Sequence, residues 1–204
     1  MRTVEEEKKK NVKKISIRPA TYDDATFVAW GMFAALGGDF EKTDEKERFL
    51  DLVRRDDVLY SWKNSLVACD AEGRAVGVII SYNGKGYSLM RRKTFSFLKK
   101  FMEIPFENME DETKEGEYYI DSVAVLPEMR GTGIGRMLLE AAIELARKED
   151  VGSIVLAVDP DNEKAQHLYR SIGFGPDGTL SIFGGVYYRW TIVVAGGVVE
   201  ERNL

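Results

Sequence analysis

The 204-residue chain has one cysteine, Cys69, and one histidine, His167. A lone cysteine cannot close an internal disulfide, which excludes stapled extracellular scaffolds and fits a reducing, cytoplasmic setting. Cys69 ends the apolar run Leu66-Val67-Ala68-Cys69, so a buried inert thiol is expected there, not a nucleophile. His167 is expected to be exposed. No group of residues has metal-ligand spacing, so no metal is expected. Long hydrophobic runs are missing as well. Nothing approaches the roughly 20 apolar residues of a spanning helix, and no signal peptide is visible. Positive charge is outnumbered, Lys+Arg 29 against Asp+Glu 34, and the formal net charge of −5 argues against a dedicated nucleic-acid binder. Such a surface mildly favours cationic partners.

What is present is ordinary globular material, 44% hydrophobic and 31% charged, in a length that suits one domain with a modest insertion. Residues 1–13 read as a charged arm and 195–204 as a tail, leaving a domain over 14–194. Residues 14–18 (KISIR) alternate as a strand before Pro19. A helix is predicted from Thr21 to Leu36, ended by Gly37-Gly38, and a second over 44–56. Strands are predicted at 65–70 and 75–82 around the turn Ala71-Glu72-Gly73-Arg74, then at 118–126 and 153–158. Between those last two lies a helix over 134–149, the strand–helix–strand unit that makes parallel neighbours. A closing hairpin is predicted at 180–183 and 186–194, turned at Gly184-Gly185. Residues 83–117 form an insertion, basic and apolar first, then acidic from Glu103 to Glu117. Its amphipathic part suggests a helix packed on the domain, a substrate lid or a dimer contact, and its charge runs read as solvated surface.

The most informative stretch runs from Val123 to Gly135, V-A-V-L-P-E-M-R-G-T-G-I-G. An apolar strand, a proline stop and a glycine loop lead at once into a helix with Ile134, Met137, Leu138, Ala141 and Leu145 at helical spacing. Such a loop aims several main-chain N–H groups at one spot, and the helix dipole adds positive potential, which makes a seat for a pyrophosphate. A P-loop is excluded because Arg136 and Met137 follow Gly135, and a Rossmann loop because the glycines fall at 131, 133 and 135. What remains, Arg130-Gly131-Thr132-Gly133-Ile134-Gly135, also suits a purely structural strand–turn–helix. Further on, Asp159-Pro160-Asp161-Asn162 can cap a helix over 163–172 that carries Ala165, Leu168, Tyr169 and Ile172 on one face and closes at Gly173-Phe174.

In that order and at that distance, the two stretches resemble the GNAT N-acetyltransferase superfamily. The first is similar to its coenzyme A signature, Arg/Gln-x-x-Gly-x-Gly. The second, Asn162 to Phe174, looks like the other half of the signature. Arg18, Ala20 and Asp24 match the family's opening turn, and the hairpin around Gly73-Arg74 resembles its second and third strands. The resemblance is sharp over 121–174 and follows element order over 14–194. It implies a single α/β (α+β) domain, a mixed, mostly antiparallel twisted sheet of about seven strands with helices on both faces. It also implies acetyl-CoA as cosubstrate and direct transfer to an amine-bearing small molecule or peptide, with no nucleic acid or membrane involved and homodimerisation left open.

Residue by residue, the resemblance gives the amides of Arg130, Gly131, Thr132, Gly133, Ile134 and Gly135 to the pyrophosphate, with the side chains of Arg130 and Arg136 adding charge there or else pairing with Glu128 or Glu140. The main chain of Val123, Ala124 and Val125 would hold the pantetheine arm and polarise the thioester carbonyl. Asn162 would cap its helix, contact the cofactor, or both. Tyr169 would lie near the sulfur as an acid, or only fill the helix–sheet interface. Asp121 is the candidate base, expected on one strand face with Tyr119, Val123 and Val125, with Glu117 as the alternative; Asp121 could equally order a loop or pair with an arginine. Two other readings stay open, a non-catalytic acyl-CoA-binding or regulatory module and a protein that binds a different nucleotide.

Overall fold

The computed structural model describes residues 14–35, 37–103 and 106–194. The charged arm, the tail and the expected helix end at Leu36 lie outside them. Among the described residues five helices and seven strands follow in the order β1 (Ser16–Pro19), α1 (Ala25–Ala35), α2 (Lys46–Arg54), β2 (Ser65–Cys69), β3 (Ala75–Asn83), α3 (Tyr87–Leu98), β4 (Glu117–Val125), α4 (Ile134–Ala146), β5 (Ser153–Val158), α5 (Glu163–Ile172), β6 (Gly175–Ile182) and β7 (Gly185–Val193). The strands form one sheet ordered β1-β2-β3-β4-β5-β7-β6. Only β4 and β5 run parallel, joined by the crossover through α4.

Apolar side chains on the two faces of the sheet make two cores. On one face Val28, Ala29 and Met32 of α1 and Leu52 and Val53 of α2 pack against Val67, Val78 and Ile80. On the other, Ile134, Leu138 and Ala142 of α4 cover Ile79, Tyr118, Ile120 and Ile154, with Leu168 and Ile172 of α5 alongside. Gly31 is what lets α1 lie so close to the sheet, since a Cβ there would fall 2.1 Å from Val78 Cγ1. The insertion contributes α3, whose Phe95 and Leu98 join the first core. Thr94 holds α3 in place by accepting a hydrogen bond from the Leu59 N–H at 2.9 Å.

Several boundaries differ from the sequence-based expectations. α4 stops at Ala146 and α2 covers only Lys46–Arg54. β6 begins at Gly175, because a register shift between Pro176 and Thr179 absorbs the residues that read as a loop. The hairpin turns at Phe183-Gly184, one residue earlier than expected, with Ile182 opposite Gly185. Both turn residues are left-handed, φ 50° and 76°, as a two-residue hairpin of this hand requires.

The most consequential irregularity lies in β4. Ile80 faces Ser122 and Ser81 faces Ile120, so Asp121 is an extra residue bulged out of the ladder. A bulge reverses which face later residues occupy. Tyr118 and Ile120 point toward α4 before it, and Val123 and Val125 point there after it. Asp121 therefore shares the side of Tyr119 but not that of Val123 and Val125, as simple alternation had suggested. Pairing of β4 with β5 also ends here, at Ile120 opposite Leu156. From Asp121 onward the two strands part.

Candidate active site

The loop after β4 is a short 3-10 turn, Pro127–Met129, followed by Gly131 and Gly133 at φ 75° and 89°. Both angles are left-handed, which fits glycine at little cost and other residues poorly. A Cβ at either position would meet nothing in the protein, so backbone shape and not crowding selects glycine. Gly133 caps α4 without any side-chain hydrogen bond. The Arg130 N–H, expected to meet the pyrophosphate, instead donates to the Pro127 carbonyl at 3.3 Å, and the next main-chain N–H with an acceptor among the described residues is that of Met137, which bonds to the Gly133 carbonyl at 3.1 Å. The N–H groups of Gly131, Thr132, Gly133, Ile134, Gly135 and Arg136 have none among the described residues. Main-chain donors left free at a helix start are the kind of group that binds anions.

The side chains around these donors are partly engaged. Arg130 donates its Nε–H to the Val125 carbonyl at 3.1 Å, which occupies one of the main-chain acceptors expected to meet the pantetheine arm. Thr132 Oγ1 donates to the Met129 carbonyl. Arg136 bonds Ser171 Oγ and approaches Glu140 at 3.4 Å, and Glu128 takes no part. At Gly135 a Cβ would be 3.7 Å from Leu168 Cδ2, an ordinary contact, so the fold itself tolerates a side chain there.

Where β4 and β5 part, a cavity of about 420 Å³ opens between the end of α1, the two strands, α5 and the β6–β7 hairpin. Asp121, Ser122 and Val123 line it from β4, Asp159 from the end of β5, Asn162 and Tyr169 from α5. Tyr60, Phe183 and Tyr187 give it an aromatic wall. Phe183 holds its place at φ 50°, the one described non-glycine residue with positive φ. Asn162 accepts a hydrogen bond from the Ala165 N–H at 3.1 Å as the N-cap of α5. Tyr169 lies edge-to-face with Phe174 at 6.1 Å, and its hydroxyl has no partner among the described residues. Burial pushes this phenol up to about 12.

Two carboxylates line this cavity, Asp121 half-buried and Glu112 buried. Asp121 accepts from the Tyr82 hydroxyl and from Ser122 Oγ, both at 2.8 Å. Glu112 accepts from the Tyr119 hydroxyl at 2.7 Å, and its own N–H donates to the Tyr87 hydroxyl at 3.1 Å. Burial raises both acids, opposed at Asp121 by its two hydrogen bonds and reinforced at Glu112 by the Asp121 charge, which carries Glu112 to about 8. Two interacting carboxyls of this kind titrate as a pair.

Glu112 was missed in the sequence. It belongs to the acidic half of the insertion, expected to be solvated, yet it is 6% exposed. Glu117 departs from that expectation too, but it faces elsewhere. Arg189 pairs with it at 2.7 Å and Thr113 donates to it at 3.2 Å, away from the cavity that Asp121 lines. His167 is exposed on the outer side of α5. A signal for Glu112 did exist. Tyr82 and Tyr119 stand in apolar strands, and a buried phenol needs a hydrogen-bond partner that neither strand supplies for Tyr119. Among the described residues no cluster of His, Cys, Asp and Glu could hold a metal ion, and no helix is long and apolar enough to cross a membrane.

Comparison with known proteins gives the family. The model of the acetyltransferase (GNAT) family matches residues 29–174, and the chain belongs to that family. A mycothiol acetyltransferase of Rhodococcus jostii (strain RHA1) is 41% identical over 64 residues, 31% of this chain and 20% of that protein. The N-alpha-acetyltransferase RimI of Mycobacterium tuberculosis (strain ATCC 25618 / H37Rv) is 43% identical over 58 residues, 28% of this chain and 35% of that protein. The matches thus span well under two thirds of these relatives' length. A solved acetyltransferase superposes with TM-score 0.70 at 27% identity, over 88% of this chain and 99% of that one. An N-acetyltransferase from Staphylococcus aureus Mu50 gives 0.68 at 23%, over 87% and 100%, a likeness of fold.

Proposed function

We propose that this GNAT family member moves an acetyl group from acetyl-CoA directly to an amine seated in the cavity between β4, β5 and the β6–β7 hairpin. The observation that carries the reading is the conjunction of three features. Six unbonded amides at the start of α4 lie near the end of β4, where a Cβ at Gly135 would be 4.0 Å from Val125; β4 parts from β5 after Ile120; and Asp121, at that point of the strand, lines the cavity. The amides suit a diphosphate, and the strand edge past Ile120 suits an extended arm with amide groups.

In this scheme Asp121 receives a proton from the acceptor ammonium. The free amine then attacks the thioester carbonyl, the C–N bond forms, the C–S bond breaks and the second N–H proton passes to the departing sulfur. Tyr169 remains protonated through the neutral range because burial holds it near 12. Its full transfer to a thiolate of ordinary pKa ~8.5 is uphill by roughly three units, so its part is to donate a hydrogen bond as charge builds on sulfur. The ionisable lining side chains other than tyrosine are all acids, Glu112, Asp121 and Asp159, with no Lys, Arg or His among the described ones. That suits an ammonium whose neighbouring groups carry no negative charge, on a small molecule or a peptide end.

The test is an amine library, amino-acid amides and free amino acids included, followed by thiol release from acetyl-CoA. Turnover of at least one amine that drops in Asp121→Asn is the expected result. Calorimetry that shows no heat when coenzyme A is added would sink the reading at its base.

A further inference from the structure

Each turnover must discard a proton. An ammonium brings three N–H bonds and the amide product keeps one; of the two protons lost, one ends on the departing sulfur and the other must reach solvent. With acceptor and thioester both in the cavity, they cover the base that took the proton, since Asp121 lines the same space.

A second cavity of about 530 Å³ adjoins Glu112, lined by Gly84, Ser88, Asp111, Thr113, Glu115 and Glu117 among others. Ser88, Asp111 and Glu115 are exposed, so it opens to solvent. Among the described residues the two cavities share one lining residue, Glu112. On the reacting side Asp121 and Glu112 line the first cavity together, so water within it can carry a proton between them; each carboxylate has its own tyrosine donor, and no hydrogen bond among the described residues joins the two hydroxyls. Tyr82 donates to Asp121 at 2.8 Å, Tyr119 donates to Glu112 at 2.7 Å, and the two rings lie 5.7 Å apart.

We propose that Glu112 is a relay residue, which takes up the proton released from the amine by way of Asp121 and passes it to the second cavity. No bond to carbon changes in this step; a proton moves from one carboxyl to the next and then to water, and both carboxylates are restored. The groups that set its readiness are Asp121 and Tyr119 on β4, Tyr82 on β3, Tyr87 and Arg91 on α3, and the nearby Tyr60 and Asp111. Asp121 and Asp111 favour the protonated form of Glu112, whereas Arg91 and the Tyr119 hydroxyl favour the ionised one. A group held near 8 can both accept and release a proton at neutral pH.

This inference rests on the transferase reading, and the assay separates the two. Steady-state kinetics of wild type and Glu112→Gln are measured from pH 6 to 9 on an amine that wild type acetylates, with and without added formate. The relay predicts a kcat lower by about tenfold to a hundredfold in Glu112→Gln, an unchanged KM for acetyl-CoA, and partial recovery by formate entering the second cavity. A wild-type kcat at every pH overturns it, and so does a loss that formate does not relieve. Ser88→Phe covers the case of a variant that does not fold. It obstructs the second cavity from its rim, and is expected to lower kcat several-fold; an unaltered kcat there also overturns the relay. If wild type acetylates no amine at all, the transferase reading fails first and the relay with it.

Discussion

Replacing Glu112 with glutamine should stabilise the protein in alkali and change little in mild acid. Burial, reinforced by Asp121, raises Glu112 from 4.5 to about 8. The folded state thus holds this proton more tightly than the unfolded chain does. Its contribution to stability is full below pH 4.5 and is lost as pH climbs through about 8. At about 1.4 kcal/mol per unit, the gap sets a ceiling of about 5 kcal/mol on that loss. Asp121 is raised in the same direction, but the two carboxyls titrate together beside a cavity that admits water, so about half the ceiling is expected. Glutamine removes the titration and still offers the Tyr119 hydroxyl an oxygen at the position where it now donates at 2.7 Å. Wild type and Glu112→Gln should therefore agree within about 1 kcal/mol at pH 5. At pH 9 the variant should be more stable by about 2–3 kcal/mol, or about 5–10 °C in Tm. Urea and thermal denaturation at pH 5, 7 and 9 measure this, with Asp121→Asn and the double variant completing a cycle. The reasoning is refuted if wild type gains stability between pH 5 and pH 9, or if the variant is no more stable than wild type at pH 9.

Three other perturbations probe the site and its support. Gly133→Ala forces a side chain into φ 89°, at a cost of about 1–3 kcal/mol, and should lower Tm while weakening coenzyme A binding by calorimetry. Tyr169→Phe should lower kcat by about tenfold to a hundredfold and leave Tm unchanged within error, since the hydroxyl it removes has no partner among the described residues. Gly31→Ala, far from any chemistry, should cost about 1–3 kcal/mol in urea denaturation, because its Cβ would collide with Val78 and push α1 off the sheet.

The parts of this molecule that sequence conveys and the parts it hides divide by range along the chain. The main-chain donors at 131–136 and the capped helix Glu163–Ile172 depend on relationships between residues a few positions apart, and α5 has the boundaries its spacing predicts. The order of elements along the chain follows from the same local patterns, whereas the place of β7 between β5 and β6 does not. The acceptor side is different. Whether Asp121 shares a face with Val123 depends on a bulge that exists only relative to β3, and no property of the β4 sequence alone marks it. Glu112 sits in an acidic run whose composition matches a solvated surface, and its burial follows from the insertion carrying it back behind Tyr119. A buried carboxylate is tolerated only where donors meet it, and here those donors are phenols supplied by separate strands. So the half of the site that would grip a shared carrier is written in contiguous motifs. The half that would choose an acceptor and handle its proton is assembled from β3, β4, α3 and the insertion, and its chemistry arises only when those segments meet.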